Sequence, residues 1–318
     1  MMAWYKKLAL ILCSVVITGC SSGEQDVPSL DTKTEGWVQL ASMITARSEM
    51  AAAVHDGVIY VPGGFGGERK FEAYKIDSDA WQTLAELPEP RHHLMAAAFE
   101  GQVYIFGGGR SVVDWSPTAE AWAYNPETND WTAIAPMPEG RIAGVAVTLD
   151  EYIYIVGGMG GTNALLRYHP GRDEWTSLAA LFESREHNAA AVLDGRIWAL
   201  GGRWQGRGEL GSVEIYEPAA DRWISGPSLN TARAGFAAVP FNGSLYVLGG
   251  EILTGKNQAL TSTEVLDPAG GKWEFGPNLP LPLHGVPAIS VGETLYVIGG
   301  ADKPGAISNQ GLVYAYRP

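Results

Sequence analysis

The sequence predicts an all-β fold, a six-bladed β-propeller with four antiparallel strands in each blade. Three observations lead to this prediction: a repeated spacing of Trp, Arg and paired Gly, a hairpin signal within the repeats, and a first Trp that has no Tyr before it. A single four-stranded sheet cannot bury both of its faces, so repetition with a period of about 44 to 50 residues favours sheets stacked around an axis.

The repeat has a fixed spacing. An Arg follows the Trp by 10 residues in five copies, Leu283 takes the same position in the sixth, and a glycine pair begins 16 residues later in all six. The Trp residues are Trp37, Trp81, Trp131, Trp175, Trp223 and Trp273. The arginines are Arg47, Arg91, Arg141, Arg185 and Arg233. The glycine pairs begin at Gly63, Gly107, Gly157, Gly201, Gly249 and Gly299.

Each repeat carries four strand signals in order. The first is a small apolar run such as residues 189–193, and the second places an aromatic ring three residues before the glycine pair. Turn residues such as Asp56-Gly57 join these two runs, and they favour a two-residue hairpin with positive φ. The third strand ends at Tyr74, Tyr124, Tyr168, Tyr216, Leu266 or Tyr316, and the next Trp begins the fourth. We expect these Tyr and Trp side chains to form the core between blades.

The two ends of the repeat region predict how the ring closes. Trp37 has no Tyr seven residues before it, and Tyr316 has no Trp seven residues after it. The strand around Trp37 is therefore expected to pair beside the strand that ends at Tyr316. This pairing would complete the sixth blade and remove the open sheet edges.

The glycine pair after an aromatic strand, followed by Tyr, Trp and Arg, resembles the kelch repeat. The resemblance covers about residues 36–318 and rests on six copies in register. It implies that the first strand of each blade lies nearest the propeller axis. The pattern also resembles the kelch-like central domain of galactose oxidase and, more distantly, the periplasmic sialic-acid mutarotases.

The first 35 residues have the pattern of an exported lipoprotein. Lys6 and Lys7 precede an apolar run at 8–17, and residues 17–20 resemble a bacterial lipobox with Ile17 where Leu is more usual. We expect a signal peptide at 1–19, lipidation of Cys20 and a flexible tether at 20–35. The alternative is an ordinary signal peptide with a chance cysteine. The prediction implies a Gram-negative cell envelope, with the outer membrane favoured and the lipid as the sole membrane attachment.

Composition narrows the classes of partner. The net charge of −13 disfavours nucleic acid. Cys13 and Cys20 are the only cysteines, so the propeller is expected to lack disulfides and thiolate metal sites. No cofactor or metal is predicted, and the repeat favours a single monomeric domain.

Length variation points to one face of the propeller. Within the repeat, only the interval from the glycine pair to the end of the third strand changes in length. It is 11, 17, 11, 15, 17 and 17 residues long in the six copies. Insertions in repeat proteins collect on loops of one face, often the binding face. Candidate ligand contacts there are Arg110, Arg203 and Trp204, since an indole suits a sugar ring and a guanidinium suits a carboxylate. The alternative is that these residues bind no ligand and only keep the loops soluble.

The five repeated arginines are the main candidates for ligand binding. Strand alternation would put the residue two positions further along on the same side as the arginine. Those residues are Glu49, His93, Ala143, His187, Gly235 and Gly285. The prediction is a ring of Arg, Glu and His around the channel mouth that binds acidic groups, as the kelch resemblance implies. The alternative is that a repeated Arg joins blades through hydrogen bonds to carbonyls.

These features favour a binding module for a protein segment or an anionic glycan. The alternative is an enzyme similar to the sialic-acid mutarotases, with Glu49 or His187 as the acid-base group and Arg185 and Arg233 on the sugar carboxylate. Copper-radical oxidases related to galactose oxidase need a cysteine crosslinked to Tyr. The propeller sequence has no cysteine, which sets that resemblance aside.

Overall fold

A computed structural model of the protein describes residues 36–267, 269, 271–305 and 308–318. The predicted signal peptide, the predicted lipidation site at Cys20 and the predicted tether lie outside the described residues. Within them the chain is almost entirely β-structure, with one short 3₁₀ turn at Pro218–Ala220. Among the described residues, no helix has the length and apolar character needed to cross a membrane.

The strands alternate with short turns along the whole described chain. The first thirteen are β1 (Trp37–Leu40), β2 (Ala53–His55), β3 (Val58–Pro62), β4 (Phe71–Lys75), β5 (Ala80–Thr83), β6 (Met95–Phe99), β7 (Gln102–Phe106), β8 (Ala121–Asn125), β9 (Asp130–Ile134), β10 (Val145–Leu149), β11 (Tyr152–Val156), β12 (Ala164–His169) and β13 (Glu174–Ala180). The next eight are β14 (Ala189–Leu193), β15 (Arg196–Leu200), β16 (Arg203–Trp204), β17 (Gly208–Glu209), β18 (Val213–Glu217), β19 (Arg222–Ser225), β20 (Ala237–Phe241) and β21 (Ser244–Leu248). The last seven are β22 (Glu251–Ile252), β23 (Gln258–Ala259), β24 (Thr263–Asp267), β25 (Lys272–Phe275), β26 (Ala288–Val291), β27 (Thr294–Ile298) and β28 (Val313–Tyr316).

The described strands form six four-stranded antiparallel sheets, which confirms the predicted six-bladed propeller. Their orders are β2-β3-β4-β5, β6-β7-β8-β9, β10-β11-β12-β13, β14-β15-β18-β19, β20-β21-β24-β25 and β26-β27-β28-β1. Two small hairpins, β16-β17 and β22-β23, lie within the long loops of the fourth and fifth blades. The first strands of neighbouring blades contact one another around the axis.

Ring closure occurs as the sequence predicts. Trp37 of β1 lies opposite Tyr316 of β28, and their ring centroids are 5.1 Å apart. The sixth blade therefore takes its outer strand from the N-terminal end of the propeller. This pairing leaves β28 as an inner strand of the sheet rather than an exposed edge.

Two-residue hairpins join the first and second strands at the predicted turns. His55 pairs with Val58, and the two turn residues Asp56 and Gly57 have φ values of 47° and 70°. Both values lie in the left-handed region that such a turn requires.

The repeated Tyr and Trp side chains join neighbouring blades. In the first blade the Tyr74 hydroxyl donates to Asp79 at 2.7 Å, and Trp81 Nε1 donates to the Ala41 carbonyl of the sixth blade at 2.9 Å. Asp79 also accepts the Ala41 backbone N–H at 2.8 Å. Six apolar clusters fill the spaces between successive sheets. Blade-to-blade packing thus accounts for the repeated aromatic positions.

Candidate functional site

A ring of backbone hydrogen bonds closes one end of the axial channel. We call the five repeated arginines and Leu283 the Arg-type positions. The ring is formed by the residue two positions after each of them, and all six of these residues have φ between 48° and 62°. The backbone N–H of each donates to the carbonyl of the ring residue in the preceding blade, at 2.7 to 3.0 Å. The ring residues are Glu49, His93, Ala143, His187, Gly235 and Gly285.

The left-handed conformation of the ring residues changes which way the neighbouring side chains point. Strand alternation holds only for extended backbone, so the arginines do not share a side with the ring residues. All five arginines are completely buried. The guanidinium of Arg233, for example, donates to the Gly249 carbonyl at 2.8 Å and to Glu264 at 2.6 Å.

The other arginines have the same kind of surroundings. Each donates to a backbone carbonyl, which belongs to the arginine's own blade or, for Arg91, to the preceding residue Pro90. Each also pairs with a glutamate. These arginines are Arg47, Arg91, Arg141 and Arg185. The expected ring of guanidinium groups around the channel mouth is therefore corrected: the arginines lie buried inside the blades.

Three ring side chains from three blades meet on the axis. His93 Nε2 lies 2.9 Å from His187 Nε2 and 3.1 Å from Glu49 Oε2. All three potential ligand atoms lie within 4.8 Å of one another. The side chains of His93 and His187 are almost fully buried, and that of Glu49 is 11% exposed. The structure thus brings together the acid and the two histidines that the sequence placed on the ring.

A second layer of polar side chains surrounds this trio, and the sequence reasoning missed most of it. The residue after each Arg-type position forms a β-bridge with the residue after a glycine pair. Two of these bridges join Glu186 to Arg203 and Ala234 to Glu251. Since His92 and His284 occupy the same position in other blades, a search of the residue after each Arg-type position would have found them.

The two layers form one closed polar network. His187 Nδ1 contacts Glu186, which accepts from Arg203 Nε at 2.8 Å, and Arg203 donates in turn to Glu251 at 2.6 Å. His284 Nδ1 lies 3.6 Å from Glu251 Oε2 and 3.3 Å from Glu49 Oε1, which returns the network to the axis. Of the predicted loop arginines, Arg203 is therefore the one that joins the central cluster.

Burial and neighbouring charges shift the pKa values of the cluster in opposite directions. Burial acts to raise the pKa of Glu49, but the His93 charge and contacts with His284 and His93 outweigh it, so that pKa lies well below its usual range. Burial lowers the pKa of His93 to about 4. Burial also acts to lower the pKa of His284, yet its contact with Glu49 raises it. Glu49 is therefore favoured in the ionised form, and His284 beside it in the protonated form.

The axial channel adjoins the ring. It forms a cavity of about 370 Å³ whose walls are the first strands of all six blades, including Val54, Ala191 and Val239. Thr148 and Ser290 also line it, and each donates its hydroxyl to a carbonyl of the preceding blade, at 3.0 and 2.7 Å. The channel is therefore largely apolar, and its charged groups are concentrated at the ring.

Trp115 covers the central cluster from the loop side. Its ring centroid lies 4.7 Å from that of His93 and 4.9 Å from that of His92, and it stacks on His187 at 6.4 Å. Phe65 packs against both His92 and Trp115. The indole donates to the Val112 carbonyl at 3.0 Å, and 37% of Trp115 remains exposed.

Other loop residues of this face lie in ion pairs or in a hairpin. Arg110 donates to Glu120 at 2.9 Å and is 43% exposed. Arg207 pairs with Glu183 at 2.8 Å. Trp204 pairs with Gly208 in the β16-β17 hairpin and is half-buried. The structure does not bring Arg110 or Trp204 into the network described above.

Comparisons with known proteins agree with this architecture. The KLHDC2/KLHL20/DRC7 Kelch-repeats domain matches residues 10–202, more than half of the chain, and the Kelch motif matches residues 184–230 and 232–280. The solved structure of YjhT is 18% identical with a TM-score of 0.75, over 86% of this chain and 96% of that one. At that identity the similarity demonstrates a common fold alone. No curated protein matches the chain.

Proposed function

This chain belongs to the Kelch-repeat family, and on that premise we propose that it is an interaction module that binds a protein segment at the loop-bearing mouth of its channel. The observation that carries the proposal is the exposed apolar tip of the β7-β8 loop. Val113 there is 89% exposed, Val112 47% and Trp115 37%. Exposed apolar groups beside polar ones are typical of surfaces that bind other proteins.

Charge favours a protein segment over an anionic glycan. Two exposed arginines of this face have an acidic partner: Arg110 contacts Glu120 and Arg207 contacts Glu183. The whole chain carries a net charge of −13. A segment with apolar and basic side chains therefore complements this mouth better than an acidic sugar does. We also propose that a lipid on Cys20 tethers the propeller in the cell envelope.

Peptide selection tests the binding surface. A phage-displayed peptide library selected on the wild-type protein should yield peptides rich in apolar and basic side chains. We expect Val113→Asp to weaken their binding about tenfold or more, because it places a charge in the centre of the apolar contact. Phe275→Asp is the matched control, since Phe275 is 67% exposed on the outer strand β25. Two results would contradict the proposal: an equal loss of peptide affinity in Val113→Asp and Phe275→Asp, or selected peptides that bind the wild type no better than Val113→Asp.

A second candidate is the acid-base sugar enzyme of the mutarotase type. Glu49 and His187, its predicted acid-base groups, belong to one cluster. Its predicted carboxylate contacts are less suitable, because Arg185 pairs with Glu214 and Arg233 pairs with Glu264 inside the blades. A sugar carboxylate would have to compete with those glutamates. The interaction module is therefore the better supported of the two.

Proton NMR distinguishes this candidate from the first. The candidate predicts that the protein accelerates anomer exchange of N-acetylneuraminate and that Glu49→Gln abolishes the acceleration. Phe275→Asp should keep the wild-type rate. Exchange at the uncatalysed rate with micromolar wild-type protein would eliminate the mutarotase function and leave the interaction module unaffected.

A further inference from the structure

Hydrogen bonds fix which ring nitrogen of His92 carries a proton. His92 Nε2 lies 2.8 Å from the carbonyl oxygen of Ser111, and a carbonyl can only accept. Nε2 therefore carries the hydrogen. In a neutral imidazole one nitrogen donates and the other accepts, so this tautomer of His92 has its lone pair on Nδ1.

The same reasoning extends to the two histidines on the axis. His93 Nδ1 lies 2.7 Å from His92 Nδ1, so His93 donates from Nδ1 and keeps a lone pair on Nε2. His187 Nδ1 contacts the carboxylate of Glu186, which also accepts, so His187 has its Nε2 lone pair free in the neutral form. Each histidine thus turns an electron-donating nitrogen toward the axis.

In these neutral tautomers, three electron-pair donors converge without a hydrogen between them. His93 Nε2 is 2.9 Å from His187 Nε2 and 3.1 Å from Glu49 Oε2. Lone pairs at these distances repel one another. A cation bound between the three atoms would be attracted to each of them and would remove this repulsion. Two ligands about 2.1 Å from a metal and at right angles lie about 3.0 Å apart, close to both distances.

We propose that Glu49, His93 and His187 bind one divalent first-row transition-metal ion through Oε2 and the two Nε2 atoms. Two histidines and one carboxylate on one face are typical of divalent iron sites, and the same ligand types bind zinc. The site is distinct from the proposed peptide surface, because its three ligands lie beneath Trp115 on the axis.

The surroundings match what metal-binding histidines require. A histidine ligand is usually oriented by a hydrogen bond from its other nitrogen to a carboxylate or another acceptor. Glu186 provides that acceptor for His187, and Arg203 holds Glu186 in place at 2.8 Å. His92 provides it for His93. This outer layer comes from separate blades, so closure of the propeller brings its members together around the three ligands.

Metal analysis tests the proposal directly. The full chain, produced without a polyhistidine tag, is stripped with a chelator and titrated calorimetrically with Zn²⁺ and Co²⁺, with anaerobic Fe²⁺ as a third probe. We expect one ion per chain and a visible Co²⁺ absorption spectrum. His187→Ala should weaken binding at least about 100-fold, and Glu186→Gln about 10- to 100-fold through loss of the orienting contact. His55→Ala, near the hairpin turn at Asp56, is the matched control and should bind as the wild type does.

Several results would overturn the proposal. Wild-type protein that takes up none of the three ions would show that a shared proton, not a metal, lies between the three atoms. Equal affinities of the wild type, His187→Ala and Glu49→Gln would place the ion elsewhere. The circular dichroism spectrum of each variant establishes that it is folded, and the wild-type titration decides the question even if a variant fails to fold.

Discussion

Replacing Arg233 with alanine is expected to cost about 3–5 kcal/mol of folding free energy, because it leaves the buried Glu264 carboxylate without its cationic partner. Neither side chain is exposed, and they contact at 2.6 Å. The same guanidinium also donates to the carbonyls of Gly249 and Ser262 at 2.8 and 2.9 Å. Removal would therefore break several contacts inside one blade at once.

Urea unfolding followed by tryptophan fluorescence measures this loss. Arg207→Ala is the matched control, since Arg207 is 61% exposed in a surface ion pair and should contribute about 1 kcal/mol or less. Arg233→Lys should give an intermediate loss, because an ammonium keeps the charge but not the planar fork of donors. A loss for Arg233→Ala no larger than that for Arg207→Ala would show that the buried arginine does not stabilise its blade.

Gly63→Ala should destabilise the protein by roughly 3 kcal/mol. Gly63 has a φ of 59°, and an added Cβ would lie 2.5 Å from the carbonyl oxygen of Arg91 in the next blade. The left-handed conformation costs a non-glycine residue about 1–2 kcal/mol. The steric conflict with a neighbouring backbone adds about 1–3 kcal/mol.

Gly57→Ala separates these two contributions. Gly57 has a φ of 70° in the hairpin of the same blade, and nothing lies within 4 Å of the position its Cβ would take. Its substitution should therefore cost about 1–2 kcal/mol, the conformational part alone. Unfolding midpoints in urea compare the two variants. If they are equally stable, close approach between blades is not the reason for a glycine at position 63.

Much of the fold could be predicted from spacing alone. The interval from Trp to Arg to the glycine pair fixes six blades, and the unmatched Trp37 fixes the closing partner as the strand of Tyr316. Turn residues such as Asp56-Gly57 identify the hairpins because few residues accept positive φ. These features are encoded within one repeat, so local sequence carries them.

The central cluster could be predicted only in part. Counting two residues beyond each Arg-type position found Glu49, His93 and His187, which do meet on the axis. The same count placed the arginines beside them, because it assumed an extended backbone. In the structure each counted position is left-handed, so the arginines point into the blades instead.

The sequence by itself determined the number of blades, their hairpins and the closure of the ring, since each depends on short intervals that repeat along the chain. Tertiary structure alone decided which side chains face one another across the axis. His93 and His187 are 94 residues apart in the chain, and their contact exists only because the ring of backbone hydrogen bonds holds separate blades at a fixed distance. The spacing of residues within one repeat does not determine the distance between blades. Nor does it determine the direction in which a residue with left-handed backbone turns its side chain.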